Sequence, residues 1–142
     1  MPRLMLSILV LVLTTSLVCA DDSLISKAAP DAKVYFIEPM DGAVVGKTFS
    51  VKFGLSGMGV APAGTDREHT GHHHILIDLD SLPDMTKPLP ANDNIKHFGG
   101  GQTETTLTLE PGMHTLQLLL GNHLHIPHDT PVMSEKITIT VE

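Results

Sequence analysis

The chain has 142 residues, with 9 Lys and Arg against 16 Asp and Glu, a formal charge of -7. That length is one domain with at most a tail, and a hydrophobic fraction of 42% is too high for a disordered polyanion. Nucleic acid needs clustered Lys and Arg, so the acidic balance argues against a nucleic-acid partner, and with no Trp, one Tyr and four Phe there is little for bases to stack on.

Met1-Pro2-Arg3 is a short basic start, Leu4–Val18 is almost wholly apolar, and Val18-Cys19-Ala20 offers a cleavage site before Asp21-Asp22. Residues 1–20 therefore read as a secretory signal peptide. The apolar run falls short of the ~20 residues of a spanning helix. Lipidation of Cys19 is the competing reading, disfavoured by the bulky Val18 before it. Cleavage after Ala20 removes the one cysteine of the chain. No disulfide, thiolate zinc site or Cys nucleophile then remains. No later apolar run approaches membrane length, so a periplasmic or secreted protein is expected, with no membrane insertion after signal cleavage.

Residues 21–32 read as a flexible leader, and 33–142 as a single domain. Within it, short apolar stretches recur between Gly, Pro, Asn and Asp, the signature of strands and turns. Lys33–Glu38 is the first, closed by a turn at Pro39–Gly42. Thr48–Leu55 alternates, with Phe49, Val51, Phe53 and Leu55 on one face. A Gly/Pro/Ala loop spans 56–70. In Gly71–Leu79, His73, Ile75, Ile77 and Leu79 share one face, and His72, His74, Leu76 and Asp78 the other. Asp78 and Asp80 read as solvated. Residues 81–94 carry three prolines and are irregular, with a short edge strand at Ile95–Phe98. Thr103–Leu109, Met113–Leu120 and Met133–Val141 complete the set. No helical period and no internal repeat is found. The expected fold is all-β, an immunoglobulin- or fibronectin-like antiparallel β-sandwich of six to seven strands. His114, just after Glu110-Pro111-Gly112, falls where such sandwiches place a corner tyrosine, and reads as a hydrogen-bonded corner histidine.

All nine histidines lie between His69 and His128. In the sandwich order, the start of the 71–79 strand, the 97–101 loop and the 121–131 loop all reach one end. Every histidine except His114 would then gather there. Imidazole suits Zn, Cu, Ni and Fe. His72 and His74, two apart on a strand, share a face; His125 and His128 have a loop spacing that can serve one ion; His97 would add a further ligand. The expected ligands are thus His72, His74, His97, His125 and His128, more than one tetrahedral ion uses. His73 is expected to pack inward, and His69 is incidental. Met58 is the one thioether near the site, although methionine usually fills core gaps. A proton-sensing cluster and an unliganded polar surface are the competing readings. Gly99-Gly100-Gly101 runs into a strand and reads as a turn, not a phosphate cradle. No strained Ser turn of the G-x-S-x-G kind occurs.

Three stretches in combination, Gly71–Asp78, His97–Glu104 and Leu120–Val132, together with Val51–Val60, resemble the bacterial exported family catalogued as domain of unknown function 4399. The resemblance covers about residues 33–141. It implies a small periplasmic or secreted domain and no established activity. The shared motifs contain His72, His73, His74, His97, His125 and His128, and leave out His69 and His123. The expectation is an exported domain binding copper or zinc, acting in metal handling rather than catalysis, with a metal ion and an envelope protein as partners. A metal-dependent enzyme and a non-metal envelope or adhesion module are the alternatives.

Overall fold

The computed structural model describes residues 24–142. The expected signal peptide, residues 1–20, and the first residues of the expected leader lie outside the described residues. Nine strands follow in order: β1 (Lys33–Glu38), β2 (Val44–Val45), β3 (Thr48–Ser56), β4 (Gly59–Val60), β5 (Thr70–Ile77), β6 (Ile95–His97), β7 (Glu104–Thr108), β8 (Gly112–Gly121) and β9 (Ile137–Val141). There is no helix among the described residues.

The strands form two sheets. One has the order β1-β3-β7; the other runs β2-β9-β8-β5-β4, with β6 also paired to β5. β4 takes the start of the β5 edge, against Thr70 and Gly71, and β6 takes its middle, against His74, Ile75 and Leu76. The long pairings are antiparallel, whereas the two-residue β2 and β4 run parallel to their neighbours. This is the expected all-β sandwich, with immunoglobulin-like connectivity.

The expected strands are found with small shifts at their ends, except that β9 starts at Ile137, four residues later than the sequence suggests. Ser134 accounts for the late start. Its hydroxyl accepts the amide of Leu118 and its own amide donates to the Leu118 carbonyl, so the chain crosses β8 irregularly before pairing. β2 and β4 go beyond the expected set, because two residues are too few to show a period.

The main core lies between the sheets. Phe49, Val51 and Phe53 of β3 meet Ile75 and Ile77 of β5, Leu116, Leu118 and Leu120 of β8, and Ile137, Ile139 and Val141 of β9. The alternation in β3 and β9 is what burial of one face of a strand requires. β5 departs from it, because Gly71 to Ile77 is buried on both faces. Its outer face carries a second, smaller core of Leu76, Leu89, Ile95 and Leu119, with Leu79, Met85 and Met133 packed on it. Proline-rich segment 79–94 thus covers the sheet instead of extending into solvent. Leu79 joins this outer core because Asp78 has a positive φ of 53°, which turns the chain away from the strand alternation.

Candidate metal centre

β5 splits its three consecutive histidines between its faces. His73 follows Ile75 and Ile77 into the main core, where its ring meets Phe53 edge-on at 4.7 Å between centroids. His72 and His74 follow Leu76 onto the outer face, with ring centroids 4.8 Å apart. The β5–β6 register sets His97 directly opposite His74, and the two rings stack at 5.2 Å with an interplanar angle of 28°. His125 reaches the same place from the loop after β8, with its ring 4.5 Å from that of His97 and 4.9 Å from that of His72.

Each of His72, His74, His97 and His125 offers a ring nitrogen, and these four atoms lie within 4.8 Å of one another. His72 Nε2 is 3.0 Å from His125 Nδ1. With Zn–N bonds of about 2.0–2.1 Å, neighbouring ligand nitrogens stand about 2.9–3.4 Å apart in square-planar or tetrahedral geometry. The His72–His125 contact, a hydrogen bond between the two rings, already has that spacing, and the other pairs stand no more than 4.8 Å apart. His97 is exposed and His125 partly so, while His72 and His74 are buried, so the group has a fixed floor and a solvent-facing side.

The floor is short of partners. His72 Nδ1 and both nitrogens of His74 are buried without a hydrogen bond of proper geometry, although the His72 backbone stands close enough to the His74 ring to offset a little of its pKa depression. A buried polar atom left unpaired costs about 1–3 kcal/mol, and native structures leave few of them. Burial holds His72 at about 4 and His74 at about 3, below the ordinary 6.5, and the neighbouring imidazoles add to the shift. His97 is lowered as well, first by burial and then by His125. The buried rings are therefore neutral at neutral pH, the form that coordinates metals.

The remaining histidines are not part of this group, although His73 and His128 are near enough to add to the lowering of His72. His128, expected as a fifth ligand, is not among the converging nitrogens. Its Nε2 donates to the carbonyl of Thr70 at 3.2 Å, which leaves only a buried Nδ1 without a partner. His69 sits by Glu68 at 3.6 Å and His123 by Asp66 at 3.5 Å. Met58 packs against the main core, as a gap-filling methionine does. His114 takes the corner position: its Nε2 donates back to the carbonyl of Glu110 at 2.8 Å. Asp78 is not simply solvated, since its two oxygens accept from His114 Nδ1 and the Thr115 amide. The gathering of histidines at one end is thus narrower than expected. Four of them meet, and they meet on the outer face of a sheet.

Sequence reasoning missed the residues that make room for the rings. A Cβ at Gly121, which pairs with His72, would lie 2.7 Å from His74 Cε1 and 3.3 Å from the His125 carbonyl carbon. A Cβ at Gly99 would lie 2.4 Å from His97 Cε1. Asn122 shapes the loop: its Oδ1 accepts from the amides of Leu124 at 2.9 Å and Ile126 at 3.1 Å, on either side of His125. An Asn bonding the amide two residues on is an Asx turn, a signal the sequence does carry.

No curated protein matches this chain. The X-ray structure of the endo-beta-1,4-mannanase from Thermotoga petrophila is similar over 79% of this chain and 20% of that one, at 16% identity and a TM-score of 0.47. The Val51–Val60 stretch, the strand that bears His72 and His74, and the segments that bring His97 and His125 to it all fall within residues 51–142, which match the model of the family described as Domain of unknown function (DUF4399), and the chain belongs to that family.

Proposed function

We propose that this protein is an exported, periplasmic or secreted domain that binds one copper or zinc ion through His72, His74, His97 and His125, and that it serves metal handling rather than catalysis. The observation that carries the reading is the convergence of four imidazoles with three buried nitrogens left unpartnered at the floor of the group. An ion takes one lone pair from each ring: on His74 it satisfies a nitrogen that has no partner, and between His72 Nε2 and His125 Nδ1 it replaces their mutual hydrogen bond. The donor set is all imidazole, which suits copper and zinc and offers nothing to hard oxygen-seeking cations. Four protein ligands complete a four-coordinate shell, whereas a catalytic zinc keeps one position open for water or substrate. Two of the rings are buried, which favours an ion over a surface-recognition role. Export rests on the signal-like residues 1–20.

Equilibrium dialysis against Cu(II) and Zn(II), followed by metal analysis, tests this. One ion per chain is expected. His74→Ala and His125→Ala should each weaken binding by more than the ~10–100-fold that loss of a supporting residue costs. His128→Ala should stay within that range. Absence of stoichiometric metal from the wild-type protein overturns the reading.

A further inference from the structure

His125 is the ligand least supported by a strand, and its loop is tied to the beginning of the described chain. Its backbone has a φ of 66°, a left-handed conformation that costs a non-glycine residue about 1–2 kcal/mol. Hydrogen bonds hold it there. Its amide donates to the Asn122 carbonyl and its carbonyl accepts from the Leu89 amide, both at 2.9 Å. The Asn122 side chain, only 1% exposed, receives the amides on both sides of it. The other end of the same carboxamide points away from the site: Nδ2 donates to the carbonyl of Leu24 at 2.8 Å and to Ser26 Oγ at 3.0 Å. Asp129 repeats the tie at the far end of the loop. Its amide donates to the Ser26 carbonyl at 3.0 Å, and its Oδ1 accepts from the Ala28 amide at 3.0 Å. The segment read as a flexible leader is, from Leu24 to Ala28, hydrogen-bonded to both flanks of the loop that carries a ligand.

Resting on the metal reading above, we propose that residues 24–28 form a strap coupled to the ion. Binding at His125 fixes the 122–129 loop and with it the docked strap; a docked strap, in return, raises ion affinity. Asn122 is the positioning residue that joins the two, because one side chain serves the His125 turn with its oxygen and the strap with its nitrogen. Linkage makes the effect reciprocal: the factor by which the ion stabilises the strap is the factor by which the strap strengthens ion binding. The strap begins a few residues beyond the expected cleavage point, so metal-loaded and metal-free protein would present different N-terminal segments.

Amide exchange of the purified protein, followed by NMR with and without stoichiometric zinc, is the test. Zinc should slow exchange at Ala28 and Asp129 at least tenfold, and leave unchanged Thr138, whose amide is held by Asp41. Asn122→Asp keeps the acceptor for the His125 turn and loses the donor to the strap. It should reduce the zinc effect at Ala28, where the Asp129 tie remains, and weaken zinc affinity about tenfold. Asp129→Ala, which leaves Asn122 and the four histidines in place, should weaken affinity to a similar degree. Stoichiometric zinc with unchanged exchange at Ala28, and with wild-type affinity in both variants, overturns the coupling and leaves the metal site standing. Failure of the wild-type protein to bind zinc or copper overturns both.

Discussion

His114 is a single ring whose two nitrogens both face acceptors, Asp78 Oδ2 at 2.6 Å and the Glu110 carbonyl at 2.8 Å. Only the imidazolium can donate to both at once, and the bond to Asp78, followed by that to Glu110, raises its pKa above the ordinary 6.5. The folded state therefore favours the protonated ring. Its contribution is complete below about pH 6.5 and fades as pH rises through the folded value. His114→Gln should accordingly cost about 1–2 kcal/mol at pH 6 and less at pH 9, read from urea unfolding at the two pH values. An equal cost at both would show that the ring is not charged in the fold. Gly121 is the matching case at the metal centre. Gly121→Ala places a methyl group 2.7 Å from His74 Cε1, so it should reduce zinc affinity more than tenfold, with an overpacking cost of about 1–3 kcal/mol in the metal-free protein. Calorimetric titration of the variant checks the first, and denaturant unfolding the second.

Strand β5 shows what the sequence reveals at the scale of an element and where it stops. Its period of two separates His73 from His72 and His74, and the parity shared with Ile75 correctly sends His73 inward. What the period does not reveal is that the opposite face is covered too. That cover is built from segments 79–94 and 122–133, which have no repeat; loops dock by shape, and shape leaves no mark on spacing. The same limit explains His128. The spacing of His125 and His128 is compatible with one ion, but only the His125 ring joins the group, while the His128 ring bonds the Thr70 carbonyl; spacing shows neither the left-handed residue at 125 nor the bridge between Gly121 and Pro127. His97 is legible because one register, His97 opposite His74, decides it. His73 itself offers a test of the element. It is fully buried with both nitrogens unpartnered, in a core of aliphatic and Phe side chains. His73→Leu keeps the volume and removes the unpaired polar atoms, so it should raise stability by about 1–3 kcal/mol and leave zinc stoichiometry unchanged. A loss of stability in denaturant unfolding would mean that the ring has a partner in solution.

Across the whole molecule, the buried rings set the response to acid. In the metal-free protein, burial holds His72 and His73 at about 4 and His74 at about 3. The same rings in the unfolded chain take up protons near 6.5. Unfolding below that value therefore binds protons, and the stability present above about pH 6.5 is lost as pH falls toward 4 and 3. Every tenfold difference in proton affinity between the folded and unfolded chain is worth about 1.4 kcal/mol, so three such rings together rival the roughly 5–15 kcal/mol that holds an ordinary domain. His114 acts with the opposite sign but is one group against several. The metal-free protein should thus unfold cooperatively between about pH 6 and pH 4. Near pH 5, its unfolding free energy should change with a slope approaching three protons, about 4 kcal/mol for each step of one in pH. His73→Leu should lower that slope by one proton. Zinc should move the midpoint to lower pH, because coordinated imidazoles cannot accept a proton until the ion leaves. A slope below one proton in the metal-free protein would mean that the buried rings are hydrated in solution, and the floor of the metal centre would then lack the unpaired His74 nitrogen that an ion is proposed to satisfy.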